Sequence, residues 1–112
     1  MPKGDLHMST FNSNMFKVLV GENFNVEGGL KGKLKAELIE VTDHTGALQN
    51  KNSSACTDCF SILFRIRSDQ PLEQNTYTFL HQNIGTFPLF IVPVGIDKKG
   101  RLYEAIFNRL KG

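Results

Sequence analysis

The stretch Phe60-Ser-Ile-Leu-Phe-Arg-Ile66 carries the clearest secondary-structure signal in the sequence. Phe60, Ile62, Phe64 and Ile66 occupy every second position. A period of two is typical of a β-strand that turns one face to a hydrophobic core, whereas a helix repeats every 3.6 residues. The stretch therefore predicts a β-strand, and the neighbouring segments are compared with the same period of two.

Further strand-like segments lie on both sides of this stretch. Phe24 and Val26 alternate with polar residues. A second apolar set runs from Leu34 to Leu38 and changes parity at Ile39, which predicts a β-bulge there. After the central stretch, three more strands are predicted around Tyr77–Phe79, Phe87–Val94 and Leu102–Phe107.

Helix and turn signals complete the pattern. Ser9-Thr10 is a typical helix start, Gly21 is a typical helix end, and the apolar residues between them have helical spacing. These signals predict a short helix at about residues 11–19. The polar residues 43–58 form the longest predicted loop, and Asp97–Gly100 predicts a hairpin turn. We therefore predict an all-β fold: a small antiparallel barrel or sandwich of about six strands with one short N-terminal helix.

Length and composition are those of one globular domain. The chain has 112 residues, of which 40% are hydrophobic and 21% charged, so a disordered or disulfide-scaffold chain is excluded. We expect residues 1–8 to be a disordered lead-in and residues 9–112 to form a single β domain. The net charge of +2 is far from that of a dedicated nucleic-acid-binding protein.

The sequence predicts no membrane segment. The longest apolar run, Phe87–Val94, is far shorter than the roughly 20 residues of a spanning helix and contains two prolines. The first eleven residues include charges and lack the apolar stretch of a secretory signal. We therefore expect the protein to be cytoplasmic.

The sharpest local motif is Cys56-Thr-Asp-Cys59. Two thiols at this spacing can bind one face of a tetrahedral zinc ion, and His44 and His81 could complete the site. The same spacing occurs in redox dithiols, but that motif normally opens a helix and here it enters a strand. A single cysteine pair without a second pair is a poor metal signal, so we predict no metal or cofactor and interpret both residues as loop thiols.

No arrangement for catalysis is predicted. Neither His44 nor His81 has a carboxylate or serine partner nearby in sequence, and most carboxylates lie in predicted loops. Glu104 alternates with apolar residues, which favours a cross-strand ion pair with Arg65 or Arg67. The sequence therefore does not predict an enzyme.

A basic patch supports an alternative function. Lys31, Lys33, Lys35 and Arg101 could form a positive stripe on the outside of a barrel, as in ligand- or oligonucleotide-binding barrels. Most phenylalanines, however, lie at core positions, so few rings are left to stack on bases. Solvated lysines explain the charge equally well, and a nucleic-acid partner is not favoured.

The doubly apolar strand Phe87–Val94 indicates an interaction surface. Only one face of a strand in a small barrel points inward, so its other face must be covered by the N-terminal helix or by another subunit. We expect a protein partner or a homo-oligomer. The contact surface is predicted at Leu89, Ile91, Tyr103 and Phe107, and Leu89→Asp and Ile91→Asp are expected to dissolve the association while the monomer stays folded.

An ordered series of short motifs spans residues 16–108. It comprises Phe16–Phe24, Phe60–Arg65, Asp69–Leu72, Gln74–Tyr77, Leu89–Gly95 and Tyr103–Asn108. In this order the motifs resemble a family of single-domain bacterial proteins described as a domain of unknown function, whose members carry FSLLFR-, LFLVPVG- and YEAVFN-like strands. The resemblance implies genes next to those of tail-collar-type, microcystin-dependent proteins, and hence an accessory or structural part of a phage-tail-like or fibre assembly. The resemblance implies no catalytic residue.

Overall fold

The computed structural model describes residues 11–27, 32–44, 56–68 and 71–110. Its elements in chain order are helix α1 (Ser13–Lys17) and strands β1 (Asn23–Glu27), β2 (Lys33–Asp43), β3 (Cys56–Ile66), β4 (Asn75–His81), β5 (Gly85–Asp97) and β6 (Gly100–Leu110). The predicted lead-in, residues 1–8, lies outside the described residues.

The six strands close into one antiparallel barrel in the order β1-β2-β3-β6-β5-β4. The ring closes between β1 and β4, where Val26 pairs with Phe79. The prediction of an all-β fold with about six strands is confirmed, and of the two predicted architectures the barrel is the one formed. Closure gives each strand two neighbours, which satisfies the backbone hydrogen-bonding groups that an open sheet leaves at its edges.

The alternating residues of the strands fill the barrel. Phe60, Ile62, Phe64 and Ile66 of β3 are all buried, as their period of two predicts. The other strands supply further buried side chains at the same spacing: Phe24, Val26, Ala36, Leu38, Phe79, Phe87, Leu89, Ile91, Tyr103 and Ala105. The interior is therefore a packed aromatic and aliphatic core.

Helix α1 is shorter than predicted and begins later. Its N-cap is Asn12, whose Oδ1 accepts the backbone N–H of Met15 at 2.9 Å, so the predicted start at Ser9-Thr10 is wrong. The chain leaves the helix through Gly21, whose φ of +97° favours glycine. The Gly21 N–H donates to the carbonyl of Leu38 at 2.7 Å, which ties the helix exit to β2.

Two phenylalanines of the N-terminal segment seal one end of the barrel. The ring of Phe11 meets that of Phe87 edge-on at 4.9 Å between centroids. The ring of Phe16 lies 5.9 Å from Phe60 and 5.5 Å from Phe107. Because these contacts reach β3, β5 and β6 together, the helix holds three strands at the end that it covers.

Register shifts interrupt three of the strand pairings: β2 with β3, β3 with β6 and β5 with β6. The pairing of β2 with β3 shifts between Leu38 and Glu40, which confirms the predicted bulge. A second shift, between Pro93 and Gly95, occurs where β5 pairs with β6. The predicted loop over residues 43–58 is shorter than expected, because β3 already begins at Cys56.

Candidate functional site

The structure overturns part of the predicted contact surface. Leu89 and Ile91 are only 4% and 0% exposed, and Tyr103 is also fully buried. All three point into the barrel, so the prediction that they form the contact surface is wrong. The physical reason is parity: Phe87 fixes the inward face of β5, and Leu89 and Ile91 follow it at steps of two.

The outward parity of β5 carries the exposed apolar residues instead. Phe90 is 51% exposed and Val94 is 50% exposed, with half-buried Val92 between them. Val92 pairs with Glu104, so Ile106, two residues further along β6 and 61% exposed, is its diagonal neighbour. We call Phe90, Val92, Val94 and Ile106 the β5–β6 apolar patch.

Phe107, the fourth predicted contact residue, is half-buried and belongs to the core margin. Its ring stacks on Phe60 at 4.6 Å with an interplanar angle of 7° and also packs on Phe16. Helix α1 therefore packs on this part of β6, whereas the outer face of β5, for which the sequence left the helix or another subunit as coverings, stays exposed at Phe90 and Val94.

An ion-pair cluster ties together three strands on the outside of the barrel. Arg65 on β3 lies 2.7 Å from Asp97 on β5 and 3.2 Å from Glu37 on β2. Hydrogen bonding to Asp97 raises the pKa of Arg65, and the bond from Arg65 lowers the pKa of Asp97 to about 2. The predicted partner, Glu104, is opposite Leu63 and Val92 instead.

Beside this cluster lies a cleft of about 540 Å³, which we call the β2–β3 cleft. Lys33 and Lys35 of β2 line one side of it, and Arg65 and Arg67 line the other. Glu37 is the one carboxylate among its lining residues, and it is bound to Arg65. The cleft therefore concentrates positive charge on one part of the barrel surface.

Only half of the predicted basic patch can be placed in this cleft. Lys33 and Lys35 line it, whereas Lys31 lies outside the described residues. Arg101 pairs with Ile66, which points inward, and its Nε donates to the carbonyl of Ser68 at 3.4 Å. Arg101 therefore lies at the end of the barrel, on the strand face opposite to the one that carries the cleft residues.

His81 is buried and has both ring nitrogens engaged. Its Nδ1 accepts the backbone N–H of Asn83 at 3.0 Å, and its Nε2 lies 2.8 Å from Oε1 of Glu22. Because Nδ1 acts as an acceptor, Nε2 carries the proton and donates to the carboxylate. The ring also packs on Phe24 at 4.7 Å. This histidine joins the α1–β1 connection to the end of β4.

His44 lies beside a serine. Its Nε2 is 3.1 Å from Oγ of Ser61 on the neighbouring strand, and its backbone N–H donates to the carbonyl of Cys59 at 2.7 Å. Ser61 is buried, and among the described residues no carboxylate is hydrogen-bonded to the other ring nitrogen. The contact ties β2 to β3 and lacks the accessible nucleophile that acyl transfer needs.

Of the candidate metal ligands, His44 lies beside Cys59, whereas His81 lies at the end of β4. Cys59 is buried and disulfide-bonded, which leaves its sulfur without the thiolate that a zinc ion binds. The side chain of Cys56 lies outside what the structure describes. Across the described ranges, no group of three or more His, Cys, Asp or Glu residues is arranged to hold a metal ion.

Neither histidine contact is predicted by a pattern in the sequence. Glu22 and His81 are 59 residues apart and are brought together where β1 and β4 close the barrel. His44 and Ser61 are 17 residues apart and meet through the register of β2 on β3, which a single sequence does not report. No helix in the described part of the chain has the length and apolarity needed to cross a membrane.

The comparisons with known proteins give one match. No curated protein and no solved structure is significantly similar to the chain. A family model does match residues 11–107, which include all six strands except the last residues of β6, together with helix α1. The matched range covers most of the chain and agrees with the motif series that begins at Phe16. The chain therefore belongs to the family described as Domain of unknown function (DUF6916).

Proposed function

We propose that the protein is a non-catalytic structural or protein–protein interaction module that uses the β5–β6 apolar patch as its contact surface. The observation that supports this is the exposure of Phe90, Val94 and Ile106, each at least half accessible, on adjoining strands. Single exposed apolar residues are ordinary, but a cluster that includes an aromatic ring is typical of a contact surface.

The architecture favours recognition through side chains. In the closed barrel each strand pairs with two neighbours, although stretches such as residues 105–110 of β6 are paired on one side. We propose that contact occurs through side chains on an outer face. The β5–β6 apolar patch is a face of this kind. On β4, the polar residue Thr76 pairs with Phe90 and borders the patch.

The finer proposal is an accessory or structural part in a phage-tail-like or fibre assembly, within the cytoplasm. It is supported by the gene neighbourhood that the family resemblance implies. A second candidate function, ligand binding, is favoured by the β2–β3 cleft and its four cationic side chains.

The first partner to test is a second copy of the chain, because every purified sample contains one. We would measure the mass of the particle by native mass spectrometry and by light scattering over a range of concentrations. The expected result is an oligomer of defined stoichiometry for the wild-type protein. The Phe90→Asp/Ile106→Asp variant should shift to monomers, because charges on the patch oppose its burial.

Thr86→Asp is the matched control, since Thr86 is exposed on β5 outside the patch. It should leave the stoichiometry unchanged, and all variants should keep the wild-type melting temperature. An oligomer that persists in the Phe90→Asp/Ile106→Asp variant would place the contact elsewhere. A wild-type monomer at every concentration would exclude self-association through the patch.

A further inference from the structure

The cations of the β2–β3 cleft are not balanced by carboxylates. Arg65 is bound to Glu37 and Asp97, which fixes its side chain and accounts for both acids. Lys33, Lys35 and Arg67 also line the cleft, and no ion pair links any of them to another described residue. Three positive charges therefore face the cleft without an ion pair to another described residue, and Glu27, the cross-strand neighbour of Lys33 on β1, lies outside the cleft lining.

The strands hold these three charges in a fixed arrangement. Lys33 and Lys35 share one face of β2 and are separated by two residues, which is about 7 Å along a strand. Glu37 pairs with Arg65 and Ala36 with Ile66, so the same register brings Arg67 beside Lys35. The backbone positions are set by the barrel, and a ligand has only to order the ends of the side chains.

The lining also indicates the size and chemistry of a ligand. A volume of about 540 Å³ is that of a small-molecule site. Asn23 supplies an amide, whereas Leu34 borders the cleft but packs its side chain against the barrel core. Among the described residues that line the cleft none is aromatic, so they offer no rings on which the bases of a single-stranded nucleic acid could stack. The features favour a compact, multiply charged anion.

We propose that the β2–β3 cleft binds a compact polyanion that carries linked phosphate groups, held by Lys33, Lys35 and Arg67. The guanidinium group of Arg67 can form two hydrogen bonds to one phosphate, and the two ammonium groups provide charge for its neighbours. The ordered Arg65 cluster forms the wall behind them. This binding is independent of the β5–β6 apolar patch, which involves other strands.

The probe is inorganic tripolyphosphate, and binding is measured by isothermal titration calorimetry with the whole chain. We expect one saturable site whose affinity falls when the salt concentration rises from about 20 to about 200 mM, because the Debye length shortens. Lys33→Glu/Lys35→Glu should raise the Kd at least about tenfold. In backbone-amide NMR spectra, tripolyphosphate should shift residues of β2 and the end of β3.

The control is Lys17→Glu/Lys99→Glu, which changes the net charge by the same amount at two positions outside the cleft lining. It should retain the wild-type Kd to within a factor of about two. If Lys33→Glu/Lys35→Glu does not fold, Arg67→Gln replaces it, with a several-fold weaker binding expected. An equal loss of tripolyphosphate affinity in both double variants would show a non-specific charge effect and overturn the proposal.

Two further outcomes are decisive. Absence of tripolyphosphate binding at low salt would show that the cleft is not an anion site. Tighter binding of an oligothymidylate than of tripolyphosphate, abolished by Lys33→Glu/Lys35→Glu, would also contradict the proposal and assign the cleft to single-stranded nucleic acid. Equal binding of a nucleoside triphosphate and tripolyphosphate would support it and locate recognition in the phosphates alone.

Discussion

At the scale of single residues, Asp97 organises the β5–β6 turn. Its Oδ1 accepts the backbone N–H groups of Lys99 and Gly100 at 2.8 and 3.0 Å, and its Oδ2 lies 2.7 Å from Nη2 of Arg65. One carboxylate thus shapes the turn and anchors it to β3. Gly100 fits tightly beside it, because an added Cβ would lie 3.0 Å from the Ile66 carbonyl oxygen and the end of β3 would have to shift by a few tenths of an ångström.

Asp97→Asn should lower the melting temperature at neutral pH. The melting temperature of this variant should also change less with pH in the acidic range than that of the wild type. The folded pKa of Asp97 is about 2 and its reference value is 3.8. Because the pKa of Asp97 is lower in the folded protein than in the unfolded chain, its ionised carboxylate stabilises the fold at pH values above 3.8. This stabilisation is lost as the pH falls from 3.8 towards about 2. Thermal unfolding followed by circular dichroism across this window measures both effects.

Glu27→Gln is the control for Asp97→Asn, since it removes an exposed carboxylate of β1 and no ion pair. Its melting curve should follow the wild type throughout this pH range. Equal acid sensitivity of Asp97→Asn and the wild type would show that the Arg65 contact does not contribute to stability.

A buried hydroxyl gives a second prediction at the residue scale. The Oη of Tyr103 accepts the backbone N–H of Leu72 at 2.8 Å inside the barrel. Tyr103→Phe leaves this N–H without an acceptor, which should cost about 1–3 kcal/mol of the free energy of unfolding. Urea unfolding at a fixed temperature measures the difference.

Tyr77→Phe is the comparison for Tyr103→Phe. The Tyr77 hydroxyl donates to the carbonyl of Glu73 at 2.7 Å in an exposed setting, where water can replace it. We expect a loss below about 1 kcal/mol for this variant. A larger loss for Tyr77→Phe than for Tyr103→Phe would contradict the argument from burial.

At the scale of elements, β5 shows what a sequence pattern can and cannot establish. Its apolar residues identify the strand. Pro93 has no backbone N–H to donate to a neighbouring strand, which predicts an irregular pairing there, and the register shift does begin at Pro93. The same pattern cannot assign the faces, because Leu89 and Phe90 are equally apolar. Contacts made by Phe87 with Phe11, which is distant in sequence, and with its cross-strand partner Phe79 settle the parity.

Ile91→Ala and Phe90→Ala test this assignment of faces. Ile91 is fully buried, so its truncation should cost about 2–5 kcal/mol of the free energy of unfolding. Phe90 projects outward and its truncation should cost less than about 1 kcal/mol in the monomer. Chemical denaturation of both variants gives the two values, and similar losses would show that β5 is buried on both faces.

At the scale of the whole molecule, the N-terminal segment completes the barrel core. The rings of Phe11 and Phe16 lie at 5.5 Å from each other and contact phenylalanines of β3, β5 and β6. The sequence predicted a helix as one of two alternative coverings for the outer face of β5, and the structure places it across one end of the barrel. The helix therefore contributes to the same hydrophobic core as the strands.

Phe16→Ala should destabilise the entire barrel by about 3–5 kcal/mol, because it removes a fully buried ring. Val18→Ala, on the exposed side after the same helix, should cost less than about 0.5 kcal/mol. Differential scanning calorimetry tests whether Phe16→Ala keeps one transition. Two separate transitions would show that the helix folds independently of the barrel.

The candidate sites were harder to predict than the fold. Local periodicity identifies strands, so the six-strand class followed from positions such as Phe60 and Ile62. The β2–β3 cleft depends on Arg65 and Arg67 meeting Lys33 and Lys35 across a strand register that no single segment encodes. Lys33 and Lys35 were predicted because both lie on one strand, whereas Arg65 was assigned a different partner.

The position of β6 in the ring has a consequence for synthesis of the chain. It is last of the six strands in chain order, yet it lies between β3 and β5. Until residues beyond Gly100 leave the ribosome, β3 and β5 each lack a neighbour, and the phenylalanine-rich interior has nothing to close it. We therefore expect the barrel to close only once β6 has been synthesised, because β3 and β5 meet their shared neighbour at that point.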